Sequence, residues 1–169
     1  EYLSNNDINE RIASFDQIDG LYKKIEAENT LRGKVVIKMR DALDLYRFLL
    51  IGKYKLSVVL YNYSVEQFFE RLFDTLLGLN QWEYFESHKN EIRLSLVELE
   101  EIIESFYLWD ELKYNTPETI TSLRLIWWSR YSRYWVLIVL FLNRIDKADG
   151  DLIHKFVPLL SKLIFIYSI

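Results

Sequence analysis

A chain of 169 residues, half of them apolar and 16% aromatic, has the length and the apolar stock for one domain with its own core. A charged fraction of 27% excludes a disordered tail, and the absence of cysteine excludes disulfides, thiolate zinc sites and cysteine nucleophiles. The net charge of −4 has the wrong sign for a dedicated nucleic-acid domain, which is usually basic.

The chain opens at Glu1 without a methionine, and its first thirty residues are polar and acidic, unlike a signal peptide. We therefore expect residues 1–169 to form a single all-helical domain excised from a longer protein, in a reducing cytoplasm. Ile8, Ile12, Phe15, Ile18, Tyr22 and Ile25 recur every three or four residues, the spacing of one buried helix face. After Gly33, the residues Val36, Met39, Leu43, Tyr46 and Leu50 repeat that spacing, and Gly52 is placed to end the helix. The stretch from Leu56 to Tyr63 reads as helix or extended connector, with no partner strand in view.

Ser64 with Gln67 has the form of a capping box, opening a helix that Gly78 closes. A loop around Asn80 leads into a long acidic helix through Ile92, Leu96, Leu99, Ile103, Phe106 and Trp109. Thr116-Pro117 marks the next helix start, and the apolar pattern carries that helix on to about Asn143. Asp149-Gly150-Asp151 predicts a turn, and a last helix runs toward Ile169 with a bend at Pro158. The fold class is all-α, an irregular multi-helix bundle of about six helices.

Charge alternates along this order. Residues 1–30 carry seven acids against three bases, and 31–57 carry two against seven. Residues 58–111 carry twelve against three, and 112–169 carry four against eight. Basic blocks of this kind have acidic blocks of the same chain to face.

The densest aromatic stretch is WWSRYSRYW, Trp127 to Trp135. On a continuous helix at about 100° per residue, Trp127, Tyr131, Tyr134, Trp135 and Ile138 share one arc, while Arg130, Arg133 and Arg144 share another. A base-stacking platform interleaves rings with cations. The sorted pattern instead predicts an aromatic face in the core and guanidinium groups pairing with the acidic helix 98–111. Should a partner or DNA touch this edge, Arg124, Arg130, Arg133 and Arg144 are the residues to do it. The uninterrupted apolar run Tyr134–Leu142 is nine residues, far below the roughly 20 that span a bilayer, so no membrane role is expected.

Chemistry-bearing constellations are missing from the pattern. His88 and His154 have no metal-ligand spacing to each other. Asp146, Asp149 and Asp151 around Gly150 fail as a calcium loop, because the first, third and twelfth positions would be Ile145, Lys147 and Phe156. Glu98, Glu100, Glu101 and Glu104 share helix faces, but no Glu-x-x-His accompanies them as a di-metal site requires. There is no P-loop, nucleophile elbow or dinucleotide fingerprint, and no arginine precedes a histidine at the spacing of HEPN ribonucleases. We expect no catalytic residue, no cofactor and no metal in this chain.

FYLWDELKY (106–114), LRLIWWSRYSRYWVLIVLFL (123–142) and LLSKLIFIYSI (159–169) together resemble the helical middle region of GmrSD-type restriction proteins. In that family a ParB-like nucleotide-hydrolysing domain precedes this region and an HNH nuclease domain follows it. The family's Asp-Gly-Gln-Gln-Arg motif is absent, since Gln17-Ile18-Asp19-Gly20 continues as Leu21-Tyr22, and no HNH histidine cluster is present. The resemblance thus implies a non-catalytic spacer or recognition domain of a larger bacterial anti-phage protein. It implies no enzyme in this piece and a nuclease in the whole. Partners would be the flanking domains of the same protein and, weakly, DNA, with the piece itself monomeric or a weak homodimer. The alternative from a different class is a freestanding helical protein–protein interaction module.

Overall fold

The computed structural model describes residues 8–129, 134–145 and 151–167, with side chains from residue 16 onward. Among these residues there are eight α-helices, one 3-10 helix and no strand, so the fold is all-α. The helices are α1 (Ile8–Leu31), α2 (Met39–Lys53), α3 (Val65–Leu76), α4 (Glu83–Glu86), α5 (Leu96–Leu112), α6 (Pro117–Trp128), α7 (Tyr134–Arg144) and α8 (Asp151–Tyr167). The 3-10 helix is Val58–Asn62, which resolves the ambiguous stretch 56–63. Two compact units divide the chain, residues 1–100 and residues 101–169, and α5 crosses the division.

In the first unit three helices end in the same way. The last turn of α1 is closed by Gly33 at φ 64°, with the Gly33 N–H on Thr30 O at 3.1 Å and the Lys34 N–H on Asn29 O at 3.2 Å. In α3, Gly78 at φ 69° donates to Thr75 O and Leu79 donates to Asp74 O. Both are Schellman turns, in which a left-handed residue lets two orphan carbonyls find donors. The third departs from expectation. Gly52 lies inside α2, and the left-handed position falls three residues later, on Lys55 at φ 51°. Leu56 then donates to Ile51 O at 3.0 Å and is itself buried, an apolar seat behind the turn.

The capping box of α3 is present as read. The Gln67 N–H donates to Ser64 Oγ at 3.1 Å, and the Ser64 N–H donates to Gln67 Oε1 at 3.1 Å. The helix then buries Phe68 and Leu72 completely, with the Phe68 ring edge-on to Phe69 and Phe85 at 5.2 and 5.4 Å. Around them Leu45, Leu50, Leu60 and Ile37 fill the core of this unit.

Polar side chains in the first unit mostly find partners there. Tyr46 of α2 and Tyr54, which caps its end, hold the chain entering α5: the Ser95 N–H donates to Tyr46 Oη at 2.7 Å, and the Arg93 N–H donates to Tyr54 Oη at 2.9 Å. Burial, first of all, pushes the Tyr46 phenol well above its ordinary pKa. Glu98 pairs with Lys53, and Glu100 pairs with Lys24 at 2.7 Å. The hydrogen bond from Lys53 to Glu98 is the main reason the Lys53 pKa is raised. Arg47, 2% exposed, is held by Asp44, by Tyr63 O and by the face of Phe48. Arg71 lies over both Tyr63 and Trp82, 4.4 and 4.2 Å from the ring centres.

The acidic helix starts at Leu96, later than its apolar spacing suggests, because short α4 and a series of turns occupy 83–91. The second unit is built on α6, α7 and α8. Its fully buried residues include Ile102, Ile103, Ile126, Ile138, Val139, Ile153 and Val157. Thr119 Oγ1 and His154 Nδ1 lie 3.1 Å apart, joining the first turns of α6 and α8. Phe141 stacks flat on Phe156 at 4.0 Å, joining the end of α7 to the start of α8. Pro158 is accommodated inside α8, where the Ser161 hydroxyl donates to Pro158 O at 2.8 Å.

Candidate functional site

Thr116 and Pro117 open α6 as the sequence indicates, with the Thr119 N–H on Thr116 Oγ1 at 3.2 Å. The helix does not continue to Asn143. It stops at Trp128, where the Ser129 N–H reaches Leu125 O and Ile126 O, both at 3.1 Å. The Ser129 hydroxyl donates back to Ile126 O at 2.6 Å. A serine that satisfies a last-turn carbonyl through its own side chain competes with the helical ladder, and here it marks the helix end.

That break undoes the wheel drawn through Trp127–Trp135. The face α6 buries is Thr119, Ser122 and Ile126, so the two tryptophans turn away from it. Trp127 is 73% exposed and Trp128 77%, their rings meeting edge-on at 6.3 Å. The expected core role of Trp127 is therefore corrected: it is a surface residue. Ile138 is fully buried as expected, while Trp135 and Tyr134 are half-buried, with the Trp135 ring 5.5 Å from Phe106. Burial, and secondarily the neighbouring Tyr114, raises the Tyr134 pKa. Tyr131 lies outside the described residues.

Of the four arginines named from sequence, Arg130 and Arg133 lie outside the described residues. Arg124 is exposed on α6, and Arg144 is exposed in the last turn of α7, where a cation suits the helix dipole. Neither pairs with a carboxylate among the described residues, so the expected ion pairs with the acidic helix are not formed by these two. Glu98 and Glu100 take lysines of α2 and α1 instead, and Asp110 takes Lys113 at 2.8 Å. The Asp149-Gly150 turn lies outside the described residues as well.

At about 100° per residue, Arg124 stands one turn before Trp127 and Trp128 on the same exposed side of α6. An exposed cation beside exposed rings is the composition of a base-stacking surface. The signal in the sequence is small: Ser129 and Ser132, with Arg130 and Arg133, interrupt a run that is otherwise apolar and aromatic and holds neither glycine nor proline.

The histidines are held locally, His88 Nδ1 by Ser87 Oγ at 2.8 Å and His154 by Thr119. Among the described residues no group of three or more histidines and carboxylates could hold a metal ion. No helix among them is long and apolar enough to cross a membrane. The class these features define is an all-α fold with an outward aromatic and cationic edge. Beyond that class, no family model, curated protein or solved structure matches the chain.

Proposed function

We propose that this chain is a non-catalytic helical recognition domain of a larger, DNA restriction-type defence protein of the bacterial cytoplasm. In this reading Trp127, Trp128 and Arg124 contact nucleic acid, and flanking domains carry the chemistry. The observation that carries it is the exposure of two neighbouring indoles, with the exposed Arg124 one helical turn before them on α6. Exposed tryptophans have no reason of stability to be there, whereas stacking on a base is worth about 1–3 kcal/mol per ring. The excess of bases in residues 112–169 and the resemblance of 106–169 to the middle region of GmrSD-type proteins support the same reading.

Titration of the protein with an oligothymidylate, followed by tryptophan fluorescence over a salt series, tests it. Trp127→Ala and Trp128→Ala should each weaken binding by about 5- to 150-fold. Arg124→Ala should flatten the slope of log affinity against log salt by about 0.7, the contribution of one phosphate contact on a single strand. Undiminished binding by the double tryptophan variant overturns the assignment, and so does the absence of any binding by the unaltered chain.

A further inference from the structure

The last helix has two apolar faces. Ile153, Val157, Leu160 and Ile164 are buried within the second unit. About a third of a turn around the helix lie Leu159, Leu163 and Ile166, which are 63, 52 and 67% exposed. Leu152, one heptad before Leu159, is also exposed and extends the row. At about 100° per residue these four side chains fall within an arc of roughly 60°. Their spacing of i, i+4 and i+7 is that of anchors by which one helix lies along another or in a groove.

The charges beside this row identify what covers it. Lys155 and Lys162 are exposed along one edge of the stripe, seven residues apart. Asp151, in the first turn, is the one carboxylate of α8. We propose that the outer face of α8 docks an acidic amphipathic helix from another polypeptide, whose apolar side chains meet Leu159, Leu163 and Ile166 and whose carboxylates meet Lys155 and Lys162. A second copy using the same face is disfavoured by charge. A two-fold contact brings identical edges together, and this edge carries two lysines against the single carboxylate of Asp151, so like charge outweighs opposite charge across it. This inference stands apart from the nucleic-acid reading, which uses α6.

Two synthetic helical peptides with leucines at i, i+4 and i+7 test it, one with glutamates and one with lysines along the leucine row. The glutamate peptide should bind at least about tenfold tighter than the lysine peptide, with an affinity that falls as salt rises. Leu163→Glu should abolish that binding. The double variant Lys155→Glu/Lys162→Glu, altered only at exposed positions, should reverse the preference. Equal binding of the two peptides, or binding of neither, overturns the proposal. It also falls if Leu163→Glu instead abolishes self-association in sedimentation, or abolishes binding to anionic phosphatidylserine vesicles while the glutamate peptide is ignored.

Discussion

The two units use similar residues to opposite ends. In the first, several cations are tied to partners of the same unit: Arg47 lies buried against Asp44 and Phe48, Arg71 lies over Tyr63 and Trp82, and the part-exposed Lys24 and Lys53 hold Glu100 and Glu98. Its exposed apolar residues stand singly near helix ends and in connections, as Leu31, Val35, Val58 and Leu79 do, or in pairs one turn apart, as Ile18 with Tyr22 on α1 and Phe73 with Leu77 at the end of α3. In the second unit the exposed apolar residues are instead ordered, as a tryptophan pair ending α6 and a stripe along α8, with Arg124, Lys155 and Lys162 beside them. Similar aromatic and cationic chemistry serves cohesion in one unit and is displayed in the other. In the proposed reading the first unit is scaffold and the second carries the contact surface.

The comparison breaks most easily at the scaffold's core. Phe68 is completely buried between Phe69 and Phe85, and Phe68→Ala should cost about 3–5 kcal/mol in denaturant unfolding. Arg47→Ala removes the buried cation that pairs with Asp44, and a loss of about 3 kcal/mol is expected. A loss below about 1 kcal/mol would mean that Arg47 is not part of the scaffold.

Smaller effects sharpen the same contrast. Ser64→Ala should cost about 1 kcal/mol by removing the cap of α3. Lys55→Gly should raise stability by about 0.5–1 kcal/mol, because glycine occupies the left-handed turn without the steric cost lysine bears. Tyr46 supplies a pH dependence. Its folded pKa lies above its unfolded value of about 10, so its contribution is complete below that value and is lost as pH rises beyond it. The fall in unfolding free energy as pH rises above about 10 should therefore be shallower in Tyr46→Phe than in the unaltered protein.

Legibility followed how many residues signalled each boundary. At α3, Ser64, Gln67 and Gly78 all spoke for the same limits, and the helix follows them to within a residue or two. Thr116-Pro117 did the same for the start of α6. Gly52 misled, because a glycine can sit inside a helix while a lysine takes the left-handed turn beyond it. The end of α6 was hidden for a related reason. Neither glycine nor proline stands between Trp127 and Trp135, and a hydroxyl bonded to Ile126 O leaves no trace in hydrophobic spacing. Once that helix was drawn too long, Trp127 was assigned to the core with Ile138, and only Ile138 belongs there. Arg124 and Arg144 were named as contact residues from charge alone, while the outward stripe of α8 needed the buried stripe to be located first.

The central claim is that Trp127 and Trp128 serve contact rather than cohesion. The most direct test is a thermal melt and an oligothymidylate titration on one preparation of Trp127→Ala/Trp128→Ala. The account predicts a stability change within about 0.5 kcal/mol for each exposed ring and the loss of most of the binding. A protein that melts many degrees lower while binding as before would contradict it.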